Sequence, residues 1–266
     1  MKQRLISALV LAIIVIPFVI KGGLIFNFGM YIVALLGLRE FIKIKETKKQ
    51  LPSFIYFISI VMLTVVMFSN YQNLDMIYKM DYRLLAGLFA CFLVPLLIYH
   101  DKEQYSVNDA FFMMGSIFFL GISFQAFVIV RNISLDIFIY LLLITIITDT
   151  FAYVTGLLIG RNKLLEVISP KKTWEGLVGG TIMGVFIPVV FYHTVINSSL
   201  SIGVLILITL FFSILGQFGD LVFSAIKRYY GKKDFSNLIP GHGGILDRLD
   251  SIIFVLLGFM FFINIL

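Results

Sequence analysis

The amino-acid sequence predicts an all-α integral membrane protein, a polytopic bundle of about nine transmembrane helices. Hydrophobic side chains make up 60% of its 266 residues and charged ones 14%, and the mean hydropathy is +1.01. Soluble domains have an apolar fraction of about 45–50%, so this composition excludes that class. In addition, the apolar residues form nine runs, most of them close to the roughly 20 residues that cross a bilayer.

The nine runs are separated by loops that hold most of the charged residues. They cover residues 5–20, 24–38, 55–68, 84–99, 111–130, 133–159, 177–196, 202–218 and 252–266. The second run is short, which leaves open a re-entrant hairpin with the first. Since no soluble segment or repeat interrupts the pattern, we expect a single integral membrane domain over 1–266, with N-terminal helices in 1–131 and catalytic helices and cytoplasmic loops in 132–266.

Basic residues are distributed unevenly between alternate loops. If the N-terminus is cytoplasmic, 17 of the 21 Lys and Arg residues lie inside, including Lys102, and only Lys21, Lys79, Arg83 and Arg131 lie outside. The positive-inside rule therefore predicts a cytoplasmic N-terminus and an external C-terminus in the cytoplasmic membrane. The same distribution explains the net charge of +6 without nucleic acid as a partner.

Several classes of site lack their minimal residues. The single cysteine, Cys91, excludes a disulfide scaffold and a cysteine-based zinc or iron–sulfur site. His100 and His193 have no second ligand at metal spacing, and we expect both to be solvated or interfacial. The P-loop, zincin and serine-hydrolase motifs are missing from the sequence.

Charged and polar side chains are concentrated in residues 216–251, at and between the last two apolar runs. If the eighth helix continues past residue 218, helical spacing places four polar residues on one face: Asp220, Ser224, Lys227 and Arg228. Asp247 and Asp250 are spaced i, i+3 at the start of the ninth helix, so both carboxylates can point the same way. Two acidic helix ends beside a basic loop predict a site for a hard cation and a polyphosphate.

The loop between these helices contains P-G-H-G-G at 240–244. Backbone N–H groups at Gly243 and Gly244 can approach a phosphate, ahead of a helix N-terminus that attracts anions. A glycine pair alone is equally typical of an ordinary loop.

A second polar segment covers residues 148–175. Asp149, Tyr153, Gly156 and Gly160 share one helical face, and a carboxylate at membrane depth indicates a functional interior. We expect the two glycines to serve helix packing. Lys171 and Lys172 follow in a polar cytoplasmic loop, where a lysine pair also fits a purely topological role.

The segment 224–250 reads S-A-I-K-R-Y-Y-G-K-K-D-F-S-N-L-I-P-G-H-G-G-I-L-D-R-L-D. It resembles the signature of the phosphatidate cytidylyltransferases, the CDP-diacylglycerol synthases, at every fixed position. The segments D-T-F-A-Y at 149–153 and S-P-K-K-T-W-E-G at 169–176 also resemble this family. The close resemblance covers about the last 120 residues, and the first half is similar in hydropathy.

This resemblance implies a Mg²⁺-dependent reaction of CTP with phosphatidic acid at the cytoplasmic face, giving CDP-diacylglycerol and pyrophosphate for phospholipid synthesis. It leaves open a second cation, monovalent or divalent, and a homodimer. The implied metal ligands are Asp220 and Asp247, followed by Asp250 and Asp149. The other implied catalytic or substrate-binding residues are Ser224, Lys227, Arg228, Lys233, Asp234, His242, Arg248, Lys171, Lys172, Gly243 and Gly244.

Two other functions remain open. CTP-dependent polyprenol and phytol kinases place a CTP site in a similar multispan protein, but the complete signature disfavours them. An ion-coupled transporter can use Asp149, Asp220 and Asp247 as a cation path. Clustering of the carboxylates with cations and glycines at one membrane face favours an enzyme. A CDP-alcohol phosphotransferase is disfavoured because its D-G-x-x-A-R motif is missing.

Overall fold

The fold is described from a computed structural model covering residues 2–68, 82–99, 104–196 and 200–263. The predicted outside residue Lys79, the predicted inside residue Lys102 and His100 lie outside these ranges. So do the last three residues of the ninth apolar run.

Each of the nine predicted runs is helical within the described ranges, which confirms the all-α polytopic membrane fold. The helices are α1 (Lys2–Lys21), α2 (Gly23–Glu46), α3 (Ser53–Phe68), α4 (Tyr82–Leu93), α5 (Pro95–Ile98), α6 (Val107–Ile133), α7 (Leu135–Ile159), α8 (Trp174–Phe191), α9 (Ile202–Tyr229) and α10 (Leu246–Phe262). Helices α4 and α5 share one predicted run, and α8 continues into a π-helical turn at Tyr192–Ile196. Five of these segments are long and apolar enough to cross a membrane: α2, α6, α7, α8 with its π turn, and α9.

Three helix boundaries differ from the apolar runs in a way that matters for function. Helix α2 has 24 residues, so it is long enough to cross a membrane by itself. Helix α9 continues to Tyr229, and α10 begins at Leu246, well before the apolar run. Polar residues therefore extend both helices beyond their hydrophobic parts, and these extensions carry the predicted catalytic side chains.

The backbone packs into two compact units, Gly23–Ile129 and the combination of Met1–Gly22 with Val130–Leu266. In the first of these, Asp109 at the start of α6 is buried and pairs with Lys45 at 2.6 Å and with Lys49 at 2.7 Å. Its carboxylate also accepts the Ser106 backbone N–H at 2.9 Å. This buried, fully bonded carboxylate ties the end of α2 to the start of α6.

The other unit is organised by the close approach of α7 and α8. Gly176, Gly180 and Gly184 recur every four residues and form a buried stripe on α8. A Cβ at Gly180 would lie 2.7 Å from both the Ala152 Cβ and the Thr148 carbonyl oxygen of α7. Small residues at helical spacing let two membrane helices approach until their backbones touch.

Hydrogen bonds between side chains join α9 to its neighbours. Tyr140 of α7 bonds to Thr209 at 2.6 Å, and Thr148 bonds to Ser213 at 2.8 Å. From α9, the Gln217 Nε2 donates to Thr181 of α8 at 2.9 Å. Pairing these groups across the interfaces avoids unsatisfied polar atoms at membrane depth.

A two-stranded antiparallel hairpin connects α7 and α8, which the sequence did not predict. Strand β1 (Lys163–Leu165) pairs with β2 (Ser169–Thr173), with Lys163 opposite Thr173. The Thr173 hydroxyl then caps α8 by accepting the Gly176 N–H at 3.1 Å. The hairpin therefore holds the predicted lysine pair in regular structure beside the helix start.

Replacement of Gly180 by Ala tests the α7–α8 contact. We expect Gly180→Ala to lower the thermal unfolding midpoint in detergent, because overpacking costs about 1–3 kcal/mol. Gly115→Ala in α6 is the matched control, since a Cβ there meets nothing within 4 Å. The control gains helix propensity without a clash. Equal midpoints for the two variants would contradict the close packing.

Candidate active site

The unit formed by residues 1–22 and 130–266 contains a cavity of about 780 Å³. Its walls are the end of α7, the hairpin, the start of α8, the C-terminal half of α9, the loop before α10 and the first turns of α10. The charged residues that line it are Asp149, Asp220, Asp234, Asp247, Asp250, Lys163, Lys171, Lys172, Lys227 and Arg248. The predicted face of Asp149, Tyr153, Gly156 and Gly160 also lines this cavity.

Three carboxylates form an acidic wall, which we define as Asp149 of α7, Asp220 of α9 and Asp250 of α10. Close packing of α9 against α10 brings two of them together, because a Cβ at Gly219 would lie 2.8 Å from the Asp250 carbonyl oxygen. The charge of Asp220 acts on both Asp149 and Asp250. Mutual repulsion of these carboxylates favours binding of a cation between them.

A buried ion pair forms the base of the site. The Lys227 ammonium lies 2.6 Å from the Asp247 Oδ1, and both side chains are buried. The Asp247 Oδ2 accepts backbone N–H groups from Phe235 at 2.9 Å and Gly244 at 2.8 Å. Asp247 therefore holds the end of α9, the loop and the start of α10 in one arrangement.

Gly243 has a φ of 87° and a Cβ there would lie 2.9 Å from the Asp247 Oδ2, so glycine is needed at this position.

Lys172 connects the hairpin to the acidic wall. Its ammonium lies 2.7 Å from the Asp220 Oδ2, and 3.5 Å from the Gln217 carbonyl oxygen. The other oxygen of Asp220 accepts the Ser224 hydroxyl at 3.3 Å. This arrangement fixes the Asp220 carboxylate at the cavity wall.

The comparisons with known proteins agree with a site for a cation and phosphate groups in this cavity. The cytidylyltransferase family matches the chain over residues 2–266. The chain belongs to the cytidylyltransferase family. Curated relatives named phosphatidate cytidylyltransferase include those of Staphylococcus haemolyticus, 36% identical over 256 residues, Staphylococcus epidermidis, 37% over 258, and Staphylococcus aureus, 36% over 257. Each alignment covers 96% of this chain and 96% of the relative.

Family membership confirms the resemblance drawn from the C-terminal signature, and it makes the chain a nucleotidyltransferase. The match extends through the first half, which the sequence motifs did not cover. For this cytidylyltransferase, the cavity with its acidic wall and its lysines is the candidate active site.

Some predicted residues lie close to the cavity without lining it. The Arg228 Nε donates to the Ile168 carbonyl at 3.2 Å and its Nη1 to that of Lys232 at 3.0 Å, which joins α9 to the hairpin turn. The side chain of Lys233 is exposed, and it is outside the cavity lining. In this arrangement Arg228 positions the hairpin.

The loop at 240–244 uses its backbone groups internally. The Gly243 N–H donates to the Ile239 carbonyl at 3.1 Å, and the Gly244 N–H donates to Asp247. Arg248 lines the cavity while its Nε donates to the His242 carbonyl at 2.8 Å. The loop therefore shapes the site mainly by holding Asp247 and Arg248.

Helix α1 contributes a residue that sequence reasoning missed. The Ser7 hydroxyl donates to the Pro240 carbonyl at 3.1 Å and lies 2.7 Å from the His242 Nδ1. No pattern in the sequence links residues separated by 235 positions. Lys163 and Gln217, which line the cavity, were also missed, because an isolated lysine or glutamine beside an apolar run has no distinctive signal.

The donor set suits a magnesium ion that arrives with a polyphosphate. Within the described ranges, no three His, Cys, Asp or Glu side chains are gathered as a preformed metal site. Mg²⁺ is commonly held by one or two carboxylates, with water and substrate phosphate oxygens completing its coordination. Asp220, Asp149 and Asp250 can supply those carboxylates, whereas Asp247 would have to share an oxygen already bonded to Lys227.

Replacement of Asp247 by Asn tests the ion pair. We expect Asp247→Asn to lower the free energy of unfolding by about 3–5 kcal/mol, because it leaves the buried Lys227 charge without a counterion. Thermal or denaturant unfolding in detergent measures this change.

Asp234→Asn is the control for that measurement. Asp234 lines the same cavity but its side chain is exposed, so its replacement should change stability by less than about 0.5 kcal/mol. A second comparison uses the double variant Lys227→Gln with Asp247→Asn. This variant should recover part of the unfolding free energy that Asp247→Asn loses. If Asp247→Asn is as stable as Asp234→Asn, the ion pair does not hold the loop.

Proposed function

We propose that the protein transfers the cytidylyl group of CTP to phosphatidic acid, with Mg²⁺, at the cytoplasmic face of the membrane. The observation that carries this proposal is one cavity that combines an acidic wall with lysines and lies at the ends of membrane-spanning helices. The names of the curated relatives support the same pair of substrates.

The reaction forms one P–O bond and breaks another. A phosphate oxygen of phosphatidic acid attacks the α-phosphorus of CTP, and pyrophosphate leaves with the electrons of the broken bond. The attacking phosphate is already ionised, so no general base is needed. The chain's own residues mainly have to bring two anions together and hold them in line.

The acidic wall and the buried pair have different tasks in this proposal. One or two of the carboxylates of Asp220, Asp149 and Asp250 would hold Mg²⁺, which would supply charge neutralisation to the triphosphate when it is bound. Lys227 is held at the cavity by Asp247, 2.6 Å away, and presents positive charge there. Lys172, placed against Asp220, is positioned to bind a phosphate oxygen beside the metal site.

The distribution of basic residues supports the proposed cytoplasmic location of the site. Ser7 near the start of α1 contacts the loop before α10, so these segments lie at the same membrane face. Arg131 at the end of α6 donates to the Ile20 carbonyl at the end of α1, at 2.7 Å. These contacts fit the predicted alternation, and the positive-inside rule then favours the face with the catalytic loops as cytoplasmic.

Product analysis with purified protein tests the proposed reaction. We expect pyrophosphate release from CTP that requires both phosphatidic acid and Mg²⁺, with equimolar CDP-diacylglycerol, and its loss on addition of a chelator. CDP released with an alcohol acceptor would instead indicate a kinase. Absence of turnover with both acceptors would favour the transporter.

Asp220→Asn tests the acidic wall in the same assay. We expect turnover to fall by at least about 100-fold, because electrostatic stabilisation of a reacting polyphosphate by one group is worth about 3 kcal/mol. Asp136→Asn is the matched control, since Asp136 is exposed in the first turn of α7, at the opposite end of this helix from the cavity. Near wild-type turnover of Asp220→Asn would remove Asp220 from the catalytic machinery.

A further inference from the structure

Two lysines of the cavity have no assigned partner so far: Lys171, which the family resemblance implies in substrate binding, and Lys163. Lys163 of β1 and Lys171 of β2 both line the cavity, and both side chains are exposed. Lys163 pairs with Thr173 across the hairpin, and Lys171 lies two residues before Thr173. The strand register shifts between Lys163 and Leu165, so the two lysines do not follow simple strand alternation, but both side chains reach the same cavity.

The other basic side chains of the cavity already have partners. Lys227 pairs with Asp247 and Lys172 with Asp220, while Arg248 donates to the His242 carbonyl. Among residues that the structure describes, neither Lys163 nor Lys171 forms a salt bridge. Two ammonium groups without a salt bridge that line one cavity repel each other and attract an anion.

The cavity that the hairpin lysines line also has exposed apolar residues in its lining. Tyr153 and Leu157 of α7 line the cavity, yet their side chains are 70% and 71% exposed. The next residue, Leu158, is 74% exposed. Large apolar side chains exposed to this degree on a membrane-spanning helix suit contact with acyl chains, so we place the lipid entry at these residues.

The acidic wall of the same cavity has different chemistry. The acidic wall repels a bare phosphate and suits a polyphosphate that carries its own cation. A lipid phosphate monoester has a charge of about −1.5 to −2 at neutral pH and needs cationic groups close to the membrane. The acidic wall and the hairpin lysines therefore suit two different substrates.

We propose that Lys163 and Lys171 form the binding site for the phosphate monoester of the lipid substrate, whose acyl chains leave the cavity past Tyr153 and Leu157. This inference rests on the proposed function. The hairpin lysines hold the lipid phosphate from the membrane side, and the nucleotide occupies the acidic wall. Their ammonium groups act as point charges that bind the lipid phosphate, leaving one of its oxygens directed toward the α-phosphorus of CTP.

Kinetics of Lys163→Gln and Lys171→Gln test this site. We expect each replacement to raise the apparent KM for phosphatidic acid about tenfold, since a charge-assisted hydrogen bond is worth about 1.5–3 kcal/mol. The KM for CTP should change less than about twofold, because the acidic wall is untouched. Lys232→Gln removes the same charge from an exposed loop residue outside the cavity lining and should leave both values unchanged.

A binding measurement tests this inference independently of the proposed reaction. Isothermal titration calorimetry with dioctanoyl phosphatidate and no nucleotide reports the lipid site directly, and titration with Mg²⁺ and CTP reports the other. Loss of phosphatidate affinity in both lysine variants, with CTP affinity retained, supports the site even if wild-type protein does not turn CTP over. Unchanged phosphatidate affinity, or a loss confined to CTP, overturns it.

Discussion

The site depends on the burial of the Lys227–Asp247 ion pair. A buried lysine is costly unless its charge is matched by a bonded counterion, and the Asp247 carboxylate meets that requirement. The same carboxylate binds the backbone N–H groups of Phe235 and Gly244. One side chain therefore fixes the end of α9, the intervening loop and the start of α10. Loss of this carboxylate would remove its contacts with all three segments at once, and the contacts of Arg228 with Lys232 and of Arg248 with His242 would remain.

Glycine contacts determine how close the catalytic helices come. Gly219 lets α9 reach the backbone of α10 at Asp250, and Gly180 lets α8 reach the backbone of α7. The helix packing that results brings carboxylates from α7, α9 and α10 to one cavity. Packing of small residues thus sets the distances between the charged groups. A larger side chain at Gly219 or Gly180 would increase these distances. In a membrane, where apolar burial between helices gains little over contact with lipid, such close contacts are a main source of stability.

The proposed catalytic arrangement separates two anions that would repel each other in solution. The acidic wall suits a metal-bound triphosphate, and the hairpin lysines suit the lipid phosphate. Lys172 pairs with Asp220 between these two regions and joins them. A cavity with this polarity lowers the electrostatic cost of bringing the reactants together, which is the main demand of nucleotidyl transfer. In the proposed arrangement, the lipid enters beside Tyr153 and Leu157 while its acyl chains stay in the bilayer.

The sequence by itself determined the membrane class, the nine apolar segments, the family and most of the charged residues around the cavity. These features are local, since hydropathy, helical spacing and a contiguous signature can be read along the chain. The tertiary structure alone decided which charges pair, how the hairpin presents Lys163 and Lys171, and how Ser7 reaches the loop at Pro240 and His242. Such contacts join residues that are distant in sequence, and they depend on backbone approach and burial. No one-dimensional pattern specifies that Asp247 binds Lys227 while Asp220 binds Lys172, because all four residues have the side-chain chemistry for either pairing.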